Sequence, residues 1–250
     1  GESSSFVGRV SWATSSRDFV SSFPVYFEGD VMDVEGVFST KFNTQLMGLI
    51  GLNHKQQEAQ FSDKVSVDLT DYFLNLLYET NGFFEAQAGA RLSEHSTYGS
   101  NWTYHINPSL YFNFDSVYLR FNASMSSAFI APSLYKLFDT YSGNQTLKPE
   151  TNQSLEFGGS LFFPNGGQFQ LVYFSRDHQN FVEYNMTTFR YVNSTRDFSV
   201  YGTEFLCSYP VTDQLLFQTN YTYPLNKENS KYNNIITLRS SNTKLIMKRI

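Results

Sequence analysis

The chain has 250 residues, a mass of 28.8 kDa and a formal net charge of −5. Charged residues make up 16% and aromatics 18%, with 25 Phe and 17 Tyr, against roughly 25% charged in an average soluble domain. That balance excludes a disordered chain, the 15 Gly and single Cys exclude a collagen-like or disulfide-stapled one, and the missing basic footprint argues against a nucleic-acid partner.

The chain opens Gly1-Glu2-Ser3-Ser4-Ser5, without the basic start and apolar core of an export signal. Either the chain stays inside the cell or a signal lies in a part of the protein outside it. Phe42-Asn43-Thr44 reads as a tight turn. The longest apolar run, 46–52, falls far short of the roughly 18 residues of a membrane helix. If this sequence enters a membrane, it does so as a β-barrel. Residues 56–67 are polar, and Thr80-Asn81-Gly82 is a second tight turn. From Phe84 the chain alternates: Phe84, Ala86, Ala88, Ala90 and Leu92 against Glu85, Gln87, Gly89, Arg91 and Ser93. A polar link at 95–100 leads to a longer alternating segment, 101–113. There Trp102, Tyr104, Ile106, Pro108, Leu110 and Phe112 oppose Asn101, Thr103, His105, Asn107, Ser109 and Asn113. After a turn at Phe114-Asp115 comes the cleanest case, 116–126. Val117, Leu119, Phe121, Ala123 and Met125 share one face; Tyr118, Arg120, Asn122, Ser124 and Ser126 share the other.

Residues 128–153 form a long polar connection in which Ser133-Leu134-Tyr135-Lys136-Leu137-Phe138 alone suits a helical turn. Turns at Pro164-Asn165-Gly166-Gly167 and Pro210-Val211-Thr212-Asp213 flank a polar stretch at 177–197. Leu215, Phe217, Thr219, Tyr221 and Tyr223 make a last alternating segment before a polar run at 224–236. Tight turns alternate with long connections, and about twelve strands are expected. That describes an all-β, antiparallel, up-and-down meander. The pattern fits either a soluble sandwich with apolar faces paired inward or a transmembrane β-barrel with apolar faces toward lipid. Aromatics at strand ends (Trp12, Tyr72, Tyr78, Trp102, Phe112, Phe114, Phe129, Tyr209, Tyr223) favour the barrel, whose rims carry such girdles.

The stretch 120–159, RFNASMSSAFIAPSLYKLFDTYSGNQTLKPETNQSLEFGG, resembles the hallmark segment of TonB-dependent outer-membrane receptors. The residues that carry the resemblance are Phe129, Ala131, Pro132, Leu134, Leu137, Phe138, Gly143, Asn144, Leu147, Pro149, Glu150, Glu156 and Gly158. Glu94-His95-Ser96-Thr97-Tyr98-Gly99 and Leu238-Arg239 resemble flanking elements of the same family, though Ser240 follows where a second Arg or a Pro is usual, and the run 169–184, then 191–193, then Val200-Tyr201-Gly202-Thr203-Glu204 resembles its strand pair ending in Gly-x-Glu. The resemblance spans roughly 30–245. It implies that residues 1–250 are one domain, a partial receptor barrel with about 12 strands of a 22-stranded β-barrel. It lacks the plug domain, the TonB-box segment and the last strands. A complete 12-stranded barrel is the competing reading.

Catalysis has little to rest on. His54, His95, His105 and His178 are scattered, with no metal-ligand spacing, and neighbours on one strand face opposite ways. No enzyme activity, metal site or cofactor is expected. Arg9, Arg91, His105, Arg120, Glu85, Glu156 and Glu204 fall on polar faces and read as a lumen network. The resemblance to cobalamin receptors makes Arg239 a candidate for ligand contact. Loop aromatics Tyr98, Trp102, Tyr135, Phe138, Tyr141, Tyr184, Phe189 and Tyr191 are candidates to bind a bulky ligand, to belong to the interfacial girdle or to pack loop against loop. Asn-x-Ser/Thr sequons at Asn101, Asn122, Asn144 and Asn220 reflect Asn and Ser content.

The resemblance implies a bacterial outer-membrane receptor for TonB-dependent uptake of a scarce nutrient, with cobalamin first and a ferric siderophore second. Its partners would be a small-molecule ligand, membrane lipid and the TonB complex, the last acting through the plug. The alternatives are a passive porin, a 12-stranded barrel protein or a soluble β-rich binding module.

Overall fold

The computed structural model describes residues 3–19, 25–61, 63–227 and 240–247. Five strands open it: β1 (Ser4–Phe19), β2 (Val25–Lys41), β3 (Leu46–Gln60), β4 (Lys64–Glu79) and β5 (Phe84–His95). β6 (Gly99–Phe114) and β7 (Val117–Ile130) lead to a short helix, α1 (Leu134–Phe138). β8 (Glu150–Phe162) and β9 (Gln168–Gln179) precede a hairpin of β10 (Val182–Asn185) and β11 (Arg190–Asn193). β12 (Phe198–Pro210), β13 (Leu215–Lys227) and β14 (Ser240–Met247) complete the series. Twelve strands form one antiparallel sheet in chain order, β1 to β9 and then β12 to β14, while β10 and β11 pair separately.

The expected meander is therefore present, with its tight turns at one end. Turn chemistry is plain at three of them. The Asn43 side chain accepts from the amides of Gln45 and Leu46, both at 2.8 Å. Thr80 accepts from the Phe84 amide at 2.9 Å beside Gly82 at φ +80, and Gly166 sits at φ +82. The polar stretch 56–67 is mostly strand, because β3 and β4 run through it. The β10–β11 hairpin lies in a stretch expected as loop; four-residue strands are too short to display alternation.

Register puts the alternating residues into rows. Ile50, Leu74, Ala90 and Tyr104 are successive partners across β3 to β6, and Asn53, Asp71, Ser93 and Asn101 form a row on the other face. The exposure of these faces is inverted relative to a soluble protein. Phe6, Val10, Trp12 and Trp102 are 69–76% exposed, whereas Asp71, Ser93, Ser109 and Ser160 on the polar face are buried. Phe121 is 47% exposed and no second layer covers it. Among the described residues the buried hydrophobic cluster is a small one in the loops, formed by Leu137, Leu147 and Val182. A soluble sandwich buries its apolar faces together; this sheet leaves them outermost, which suits lipid. On β4, Tyr72 and Tyr78 bracket Leu74 and Leu76 on the apolar face. At about 3.3 Å per residue they stand about 20 Å apart along the strand, which at a tilt of about 40° covers about 15 Å of the roughly 25 Å apolar band of a membrane barrel.

One junction is irregular. With a break at Asn107 and Pro108, the latter having no N–H for the ladder, β6 and β7 pair from Phe114 and Val117 as far as His105 and Ser126. Beyond that, β6 stays with β5 to Gly99 and β7 stays with β8 to Ile130.

Candidate functional site

At the loop end, residues 131–149 fold back over the polar face, where α1 meets β4. Local chemistry shapes the fold. Ser133 caps α1 by accepting from the Lys136 amide at 3.3 Å. Past the helix, the Asp139 carboxylate accepts from the Ser142 amide at 2.8 Å, the Ser142 hydroxyl at 2.6 Å and the Tyr141 amide at 3.3 Å. A Cβ on Gly143 would lie 2.4 Å from the Asp139 carbonyl oxygen, so only glycine fits that close approach.

The loop is tied to its neighbours. Asn144 donates from Nδ2 to the Tyr191 carbonyl at 2.8 Å, and the Tyr191 amide donates to the Ser142 carbonyl at 3.0 Å. Asn193 accepts from the Lys148 amide at 2.7 Å and donates to the carbonyls of Lys148 and Asn180 at 2.9 and 2.7 Å. The Tyr98 hydroxyl, from the β5–β6 turn, donates to the Leu147 carbonyl at 3.0 Å. Leu137, Leu147 and Val182 pack beneath, with Phe138 and Tyr191 against them. Three chain segments thus form one unit at the mouth.

That unit gathers several of the aromatics expected to meet ligand. Tyr135 and Tyr184 stand edge-on to Tyr191, with centroids 6.1 and 5.4 Å apart, and Phe138 packs below. Tyr98 joins through its hydroxyl rather than by an exposed ring. Tyr141 and Phe189 are exposed, at 77% and 63%. Trp102 points the other way: it is the register partner of Leu92 on the apolar face, a girdle position. Arg239 lies outside the described residues. Burial pushes the Tyr98 and Tyr191 phenols up, Tyr191 further through Tyr135, Asp139 and Tyr184. A raised phenol pKa stabilises the folded loops below the ordinary value near 10, and that contribution is lost as pH climbs through the raised one. Hydrogen exchange across 134–149 and 182–193 is therefore expected to accelerate above about pH 10 before the sheet loosens; a loop unit indifferent to alkali would contradict the burial.

Below the mouth, a cleft of about 640 Å³ on the polar face is lined by residues including Asp71, Phe73, Arg91, Ser93, His105 and Ser126. The residues expected to form a lumen network lie on this face. Arg91 approaches Asp71 at 3.7 Å and stacks over Phe73, and Ser93 donates to the Asp71 carboxylate. The His105 ring contacts Asn75 at 3.1 Å and lies across Gly89, where a Cβ would come within 2.4 Å of it. Arg120 donates to Ser109 at 3.3 Å and sits over Tyr111, whose hydroxyl donates to Glu85 at 2.6 Å. Glu156 pairs with Arg176 at 2.9 Å, and Arg9 with Glu35 at 3.5 Å. Glu204 is exposed on the same face, beside Val172 and Thr222.

Asp71, the acid in the lining of this cleft, is not among the residues the sequence singles out; the observed register sets it beside Ser93. Asp71→Ala removes the acceptor of two groups on a carboxylate that is 5% exposed. It is expected to cost about 1–3 kcal/mol in unfolding experiments, and Asp71→Asn less, because the amide oxygen still accepts from Ser93.

The comparisons agree with this architecture. Residues 3–245 match the family model described as TonB-dependent receptor-like, β-barrel. A vitamin B12 transporter, BtuB, of Vibrio cholerae serotype O1 is 31% identical over 123 residues, which cover 49% of this chain and 20% of the relative. Among solved structures, the siderophore receptor PirA from Pseudomonas aeruginosa superposes with a TM-score of 0.80 at 21% identity, over 97% of this chain and 46% of that one. The ferric enterobactin receptor PfeA gives 0.72 at 19%, over 89% and 41%, and the copper transporter OprC gives 0.72 at 14%, over 98% and 47%. The chain thus spans under half the length of the structures it resembles. These likenesses establish the fold: the sheet is a wall of a barrel, polar face inward.

Proposed function

The chain belongs to the TonB-dependent receptor-like β-barrel family, and on that premise we propose that it forms wall and mouth of an outer-membrane receptor importing a cobalamin-type corrinoid. The observation that carries the ligand choice is the 31% identity to a vitamin B12 transporter. The site is compatible with it. A corrin presents a broad apolar macrocycle rimmed by amide side chains. Tyr135, Tyr184 and Tyr191 offer ring faces and edges, and the Asn- and Ser-rich wall below offers hydrogen-bond partners.

In this reading the ligand settles on the mouth unit. Energy supplied through TonB then acts on a plug segment outside these 250 residues and frees the ligand into the wet interior. The charges on the wall, Asp71 with Arg91 and Glu156 with Arg176, are paired across neighbouring strands. Transport, not catalysis, is the role assigned. A ferric siderophore is the second reading, favoured by the fold-level likeness to PirA and PfeA.

Complementation tests the choice. The gene at full length is expressed in a strain lacking its own cobalamin receptor and dependent on scarce cobalamin. Growth that also requires TonB is expected. Failure there, with rescue of iron-starved growth by a ferric chelate, would move the assignment to the siderophore.

A further inference from the structure

The seam between β6 and β7 carries a site of its own. The strands part above His105 and Ser126, while each remains paired on its far side. The sequence accounts for this. At the next register step the Tyr104 amide donates to the Ser127 hydroxyl at 3.1 Å instead of continuing the backbone ladder. Two clefts meet at the gap. The inward one of about 640 Å³ and a second of about 550 Å³ both touch Tyr104, Ser127, Ala128 and Phe129.

The second cleft takes most of its lining from outward-facing rows, including Trp102, Thr151, Gln153 and Asp177. It stands one row loopward of Met125 and Leu155, where the apolar band ends and Ser127, Gln153, Asp177 and Ser199 begin. It is therefore continuous with the lipid-facing surface and level with headgroups. One side presents the rings of Trp102, Tyr104 and Phe129. The other presents a hydroxyl, an amide and a carboxylate that Ser199 already holds by a hydrogen bond. Rings that cover the C–H face of a pyranose, beside groups that bond its hydroxyls, are the chemistry of sugar recognition. The lining contains the carboxylates of Asp177 and Asp197 and no Lys or Arg, which disfavours phosphate.

We propose that this recess binds neutral sugar units of a glycolipid in the outer leaflet. The proposal rests on the outer-membrane reading above. To test it, the receptor at its full encoded length is purified from outer membranes in mild detergent, and retained glycolipid is measured by mass spectrometry. Gln153→Ala/Asp177→Ala should retain about tenfold less than wild type, as loss of two hydrogen bonds implies, with nutrient binding at the mouth unchanged. A photo-crosslinking residue at position 153 in an otherwise wild-type receptor should yield adducts to the sugar portion. Equal retention in the double variant overturns the proposal, as do adducts confined to acyl chains, to phosphate or to protein. Binding of free oligosaccharide without any lipid-linked sugar also overturns it. A receptor that fractionates away from the outer membrane would instead defeat the receptor reading.

Discussion

Leu74→Arg is expected to cost about 2–4 kcal/mol of folding stability in lipid, the depth-dependent cost of a cation on the lipid face of a barrel near the midplane. Leu74 is 45% exposed, lies between Ile50 and Ala90, and has Tyr72 and Tyr78 to either side along β4. Its direct register neighbours, Ile50 and Ala90, offer no side-chain acceptor for the guanidinium. The matched control is Gln87→Arg on the inward face, beside a hydrated interior and within reach of Asn75. Urea unfolding in vesicles should separate the two variants clearly. Similar costs for both would mean that the outward rows do not meet hydrocarbon.

The second large effect concerns the mouth. Leu137→Ala is expected to cost about 2–5 kcal/mol locally, the range for truncating a buried leucine. Leu137 is 4% exposed, and its neighbours Leu147 and Val182 belong to different segments. The loops have little other apolar burial to fall back on. The loss should therefore open the unit rather than the sheet. Ligand affinity should drop at least about tenfold, since about 1.4 kcal/mol already corresponds to that factor. Hydrogen exchange should rise across 134–149 and 182–193, with the unfolding midpoint of the sheet unchanged. A variant that binds as wild type would show that the aromatic trio, and the core that holds it, is not where ligand sits.

Much of this was legible in the sequence because strand geometry is simple. Period-2 alternation and Asn-, Gly- and Pro-bearing turns located the strands, and the polar face of 116–126 proved to be the inward one. What escaped had physical reasons. Alternation says which residues share a face but not which pairs meet, so Asp71 with Ser93 and Glu156 with Arg176 needed register. Alternation sets Trp102 on the apolar face and at a rim while its place near a loop also offers it to ligand; its pairing with Leu92 decides for the outward rim. The long connection 128–153 read as polar loop, yet Leu137 and Leu147 form a core with Val182 across more than thirty intervening positions, a tertiary effect with no local signature. Pro108 is visible in its strand and marks a break inside the β6–β7 ladder, but the parting beyond His105 goes with Ser127 capturing the Tyr104 amide, which only the register reveals.

The central claim is that alternate residues of each strand face hydrocarbon and water. Spin labels placed singly along 117–126 of β7, in a full-length receptor with Cys207 replaced and reconstituted in vesicles, test it most directly. Labels at Val117, Leu119, Phe121, Ala123 and Met125 should be relaxed by oxygen dissolved in the bilayer, and those at Tyr118, Arg120, Asn122, Ser124 and Ser126 by a water-soluble nickel chelate. Accessibility that does not alternate, or that alternates with the opposite phase, would contradict the account.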